Sequence, residues 1–122
     1  MTPEGATANW QCVNETPPNN DTTYVVGETA GLRDSYGFQD MPGSGPIAGI
    51  QINEWARKDD ASVRQIAATI RQGTTDAQGA TITLSTNYQD WPTLLETNPA
   101  NGGAVFTPSD IASDEFGTVI VS

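Results

Sequence analysis

The 122 residues carry 15 acidic against 5 basic side chains, a formal net charge of −10, with one cysteine and no histidine. That length fits one domain with one hydrophobic core, burying roughly two-thirds of the surface its unfolded chain exposes. The charge argues against a nucleic-acid backbone or an anionic membrane as partner, the lone Cys12 excludes an internal disulfide and a thiolate zinc site, and the lack of histidine removes the commonest general base and metal ligand.

No run of ~18 apolar residues is present to span a membrane. Residues 1–9 have neither the basic start nor the apolar stretch of a secretory signal. They read as a flexible arm ahead of a single domain over residues 10–122. Clusters of Pro, Gly and Asn then punctuate the chain: Pro17-Pro18-Asn19-Asn20-Asp21, Pro42-Gly43-Ser44-Gly45-Pro46 and Asn98-Pro99-Ala100-Asn101-Gly102-Gly103. Each presets or frees φ, so regular structure stops there. Between them lie short runs rich in Val, Ile, Thr and aromatic residues, the pattern of an all-β sandwich or barrel.

In chain order, Trp10–Val13 and Thr23–Val26 read as strands, and Leu32–Gln39 as a weaker one. Ile47–Ala56 places Ala48, Ile50 and Ile52 on one face, while Trp55 falls out of phase, which predicts a bulge or a strand end. Val63–Arg71 fits two periods: Ile66, Ala68 and Ile70 alternate as in a strand, and Val63, Ile66, Ala67 and Ile70 match a helix slightly better. Ala80–Ser85 alternates with Ile82 and Leu84 inward. Residues 89–96 make a strand anchored by Trp91 and Leu94 or Leu95, with Pro92 marking an edge or a bulge. A short helical turn over 107–113 has Thr107 as cap, Pro108 in its first position and Asp110 three residues after the cap. Gly117–Val121 closes the chain as a strand.

Chemistry is sparse. Neither a Gly-rich phosphate loop nor a nucleophile beside a base appears, so no catalytic, metal-binding or cofactor-binding residue is assigned and the chain reads as non-enzymatic. Asn19-Asn20-Asp21 and Asp59-Asp60 have ligand types that suit calcium, without the spacing of a dedicated calcium loop. Three tryptophans in a small β domain read chiefly as core anchors. Tyr36, Tyr88 and Trp91 are the candidates for contact with a glycan ring.

The order of these signals resembles a family of small β-sandwich structural proteins of tailed-bacteriophage virions. The residues that carry the resemblance run from Trp10-Gln11-Cys12-Val13-Asn14-Glu15 through Asp34-Ser35-Tyr36-Gly37-Phe38 and Ile50-Gln51-Ile52. They continue with Ala56-Arg57-Lys58-Asp59-Asp60-Ala61 and end with Phe106-Thr107-Pro108-Ser109-Asp110-Ile111 before Glu115-Phe116-Gly117-Thr118-Val119. The resemblance implies a jelly-roll-like sandwich of about eight short antiparallel strands, and it turns the Val63–Arg71 choice toward a strand. It also implies a place on a virion head or tail after assembly in the host cytoplasm. The expected partners are major capsid or tail proteins, or further copies of the chain, with a host glycan as the alternative ligand.

Overall fold

Short runs of β-branched and aromatic residues, cut by turn formers, build nine strands. In the computed structural model, which describes residues 1–122, these are β1 (Thr2–Glu4), β2 (Tyr24–Val26), β3 (Arg33–Gly37), β4 (Ile50–Ala56), β5 (Gln65–Gln72), β6 (Thr75–Gln78), β7 (Ile82–Thr83), β8 (Gln89–Leu95) and β9 (Glu115–Ile120). One short helix, α1 (Pro108–Ser113), and two 3-10 turns, Asn9–Cys12 and Pro99–Asn101, complete the regular structure. The chain is predominantly β, and every strand pairing is antiparallel.

The strands fall into three groups. The larger sheet runs β3-β9-β5-β6, with β7 also pairing to β5; β1-β2 and β4-β8 are two-stranded ribbons. At the centre, β5 buries five consecutive residues from Ile66 to Ile70. This explains why periodicity could not separate strand from helix there. A strand covered on both faces reads as a continuous apolar run rather than an alternating one, and with Ile and Ala at these spacings both periods fit.

Ile70, Ala100, Phe106 and Phe116 form the core, with Ile47, Ile50, Ile52, Leu95 and Ile111 packed against them. Ile50 and Ile52 come from β4 and Leu95 from β8, so the inner face of that ribbon lies against the Ile70 and Phe116 side of the larger sheet. Cys12 is buried as a small hydrophobe. Helix α1 starts as its sequence dictates. Thr107 Oγ1 accepts from the Asp110 N–H at 3.3 Å, the Asp110 carboxylate accepts from the Thr107 N–H at 2.8 Å, and Pro108 takes the first helical position.

Two local expectations are corrected and a third is resolved. Trp10–Val13 is not a strand: Asn9–Cys12 forms a 3-10 turn, because the Gln11 side chain accepts from the backbone N–H groups of Thr7 and Ala8 at 3.1 and 3.0 Å. Residues 1–9 are not a loose arm throughout, since Thr2–Glu4 pairs with Tyr24–Val26 as β1. At Trp55 the expected alternatives resolve to a strand end, one residue before β4 stops at Ala56, and not to a bulge. The β4-β8 register is unbroken from Ile50 opposite Leu95 to Ala56 opposite Gln89, and Trp55 simply occupies the outward face. Pro92 stands on β8, which pairs with β4 alone, so proline sits where the sheet can spare an N–H.

Candidate functional site

The unbroken β4-β8 register decides which side chains share a surface. Alternation sends Ile50, Ile52, Glu54 and Ala56 inward and Gln51, Asn53 and Trp55 outward. The turn that feeds β8 brings Tyr88 beside Trp55. Their rings lie 6.3 Å apart and only 3° from parallel. The Arg57 guanidinium stands over the Tyr88 ring, 5.1 Å from its centroid. Asp21 binds this group from the preceding loop: its carboxylate accepts from Arg57 at 3.0 Å and from the Tyr88 hydroxyl at 2.9 Å. Asn20, which adopts a positive φ of 57°, accepts from the Trp55 indole N–H at 2.7 Å. The hydrogen bond from Arg57, and then that from Tyr88, hold the Asp21 carboxyl below its usual range. Partial burial, and then the Asp21 carboxylate, push the Tyr88 phenol up. Asp21, Arg57 and Tyr88 are therefore all in their ordinary ionisation states near neutral pH and serve to fix geometry.

The result is an aromatic and charged platform held in place from several sides. Trp55 remains 44% exposed. Leu94, on the same outward face of the ribbon, is also exposed. Such a surface can bind, by stacking and by hydrogen bonding at its polar edge.

Of the three residues singled out from sequence, only Tyr88 belongs to this platform. Tyr36 is half-buried on β3, where its hydroxyl donates to Asp34 at 2.8 Å, and burial followed by that carboxylate pushes its phenol strongly up. Trp91 faces inward on β8 and donates its indole N–H to the Ala56 carbonyl at 3.2 Å. The three are not brought together. Trp55, which sequence reasoning placed in the core, is the exposed partner of Tyr88. Its loss of phase with Ile50 and Ile52 was the signal that it points outward. Two of the three loop carboxylates with calcium-compatible chemistry, Asp21 and Asp60 but not Asp59, already have protein partners. Asp21 holds Arg57 and Tyr88, and Asp60 accepts from Arg64 at 2.6 Å and from the Ser62 N–H at 3.1 Å.

No family model, curated protein or solved structure matches the chain.

Behind the platform, the same alternation buries an acid. Glu54 points between the ribbon and β9, and both its carboxylate oxygens and the Thr118 hydroxyl are shielded from solvent without a hydrogen-bond partner. Burial pushes the Glu54 carboxyl up to about 6, and the nearby Thr118 hydroxyl, short of a well-formed hydrogen bond, offsets only part of that rise. The folded chain then holds a proton that the unfolded chain has released, so stability falls as pH rises from 4.5 to about 6. Over that window the loss is on the order of 1–2 kcal/mol. Glu54→Gln is expected to remove this slope and to raise the urea midpoint at pH 7. Urea titrations of both proteins at pH 4.5 and 7 measure it, and parallel pH profiles for the two would contradict it.

Proposed function

We propose that this chain is a non-enzymatic accessory structural protein on the surface of a tailed-phage virion, acting by protein–protein contact through the outer face of the β4-β8 ribbon. The observation that carries the contact reading is the exposed Trp55, stacked on Tyr88 with Arg57 over that ring. Trp, Tyr and Arg are the residue types that dominate binding hot spots. Here Asp21 and Asn20 hold them in one arrangement before any partner arrives, which lowers the entropy cost of docking.

The virion placement rests on the ordered motifs from Trp10 to Val119. The net charge of −10 suits an outer surface that resists non-specific adhesion. A jelly-roll-like sandwich belongs to the same proposal. What supports it is the β4-β8 ribbon lying against the larger sheet across Ile50, Ile52, Ile70 and Phe116, as facing layers of a sandwich do. The partner on this reading is a major capsid or tail protein, or a further copy of the chain.

A second reading is favoured by the exposed indole beside polar Asn20 and Asp21: a host glycan ring stacking on Trp55. One set of variants separates the two. Trp55→Ala and Tyr88→Ala are expected to weaken binding to particles assembled without the chain by about ten-fold or more, the effect of losing a hot-spot residue. The urea midpoint monitors folding in the same samples. Unchanged particle binding overturns the contact surface. A change of tryptophan fluorescence on adding host polysaccharide, lost in Trp55→Ala, would favour the glycan.

A further inference from the structure

The two edges of the β4-β8 ribbon are unlike. The β8 edge carries Pro92, which has no N–H to offer an incoming strand. The β4 edge carries no Pro, Gly or Lys from Ile50 to Ala56, and its register has no bulge. Natural edge strands are normally blunted by such devices; the one that β4 has, the inward-pointing acid Glu54, is buried behind the ribbon and leaves the backbone of the edge uncovered. Beyond the ladder to β8, no other backbone–backbone hydrogen bond reaches residues 50–56. Every second residue of β4 therefore leaves its N–H and C=O unpaired along seven residues.

An open groove of about 490 Å³ runs along this edge. Four consecutive β4 residues, Ile50 to Asn53, line it, and no β8 residue does. Inward-facing and outward-facing positions line it together, which places the groove on the strand's edge rather than on either face. The opposite wall is mostly apolar: Phe38, Met41, Ile111 and Phe116, with Gln39 its one polar residue. Phe38 and Met41 are about half exposed, and Phe38 meets Phe116 edge-on at 5.8 Å. The length of wall, at ~3.3 Å per residue, accommodates about four residues of extended chain.

Charge selects the occupant. The charged residues next in sequence to lining residues that reach the surface, Asp40, Asp110 and Glu115, are all acidic, and Glu54, also adjacent, is buried behind the ribbon. The basic side chains are engaged elsewhere, Arg57 with Asp21, Arg64 with Asp60, Arg33 with Thr69, Arg71 with the Gly73 carbonyl and Lys58 with the Ser62 carbonyl. A second copy would bring the same −10 charge and its own Phe38–Met41 wall to the contact. Taking contact with another protein as the chain's mode of action, we infer that the free edge of β4 takes up an extended segment of a different protein, alternating apolar and basic residues, as an added strand. Main-chain hydrogen bonds to β4 would hold it, apolar side chains would fill the wall of Phe38 and Met41, and the basic ones would face the acidic rim.

Heptapeptides alternating Lys with Val, Leu or Phe are the probes. Each is paired with a control of the same sequence N-methylated at the apolar residues, which keeps the charge and removes the backbone donors. Amide hydrogen exchange of the whole chain is the readout. At least one plain peptide should bind saturably and slow exchange at alternate residues of Ile50–Ala56 by ten-fold or more, the N-methylated control should not, and Met41→Lys should weaken binding at least ten-fold. Asn53→Pro, which removes an edge donor, is a second variant. Its result counts where the unfolding midpoint is retained. Equal binding of plain and N-methylated peptides would reduce the effect to charge attraction and overturn the inference. So would protection elsewhere, absence of protection with all three peptides, or self-association of the free chain that itself protects β4. Failure here with Trp55→Ala still impairing particle binding removes the edge alone; the reverse pattern removes the platform and keeps the edge.

Discussion

Phe106→Ala is expected to lower the free energy of unfolding by about 3–5 kcal/mol. Phe106 is fully buried between β5, β9 and the Pro99–Asn101 turn, in contact with the cluster of Ile70, Ala100 and Phe116. Its backbone also ties the layers together, because the Phe106 carbonyl accepts from the Ile47 N–H at 2.8 Å just before β4 begins. Truncation forfeits the transfer energy of the ring and leaves a cavity whose rigid strand walls cannot fully collapse. Since domains of this kind are stable by only about 5–15 kcal/mol, such a loss removes a large part of the total. Urea unfolding should show a lower midpoint with an unchanged slope. A loss below about 1 kcal/mol would mean that Phe106 is not the centre of the core.

The second large effect belongs to a polar residue. Asn98 and Asp114 are both fully buried. Asn98 Nδ2 donates to Asp114 Oδ2 at 2.9 Å, and Asn98 Oδ1 accepts from the Ala100 N–H at 3.0 Å. The Asn98 backbone closes the same loop, donating to the Ala104 carbonyl at 2.7 Å and accepting from Asn101 and Gly103 at 3.1 and 2.9 Å. Apart from Asn98, the Asp114 carboxylate has only the adjacent Ser113 hydroxyl, at 3.3 Å. Asn98→Ala therefore strands a buried carboxylate and an N–H together, at a cost of about 3 kcal/mol or more. Adding Asp114→Asn to Asn98→Ala should recover part of that loss by removing the buried charge. A double-mutant cycle by urea unfolding measures the coupling, and strictly additive losses would show that the two side chains do not act as a pair.

Both variants act beneath the ribbon rather than on it, so they test the scaffold and leave the Trp55 platform chemically intact. The Glu54 variant lies between these cases. Its carboxylate sits behind the platform, and a flattened pH profile would show that the ribbon and β9 enclose it as described.

Much of the local structure was legible from the residues. The capping box at Thr107 and Asp110, the alternation of Ile82 and Leu84 and the edge position of Pro92 depend on neighbours within a few residues, and short-range chemistry is written in sequence. The 3-10 turn at Asn9–Cys12 was hidden by a run that also suits a strand; the Gln11 side chain settles it by bonding backwards to Thr7 and Ala8.

By itself the sequence determined a mostly β, single-cysteine, histidine-free, strongly acidic chain, because composition and period depend on residue identity alone. Tertiary structure decided which residues share a surface. Trp55 and Tyr88 are 33 positions apart in the chain, and Trp91 is nearer to Tyr88 in sequence than Trp55 is. Only the register of β4 against β8 turns Trp55 outward onto Tyr88 and Trp91 inward. Strand pairing fixes register through contacts distant in sequence, and a shift of one residue would exchange the two faces.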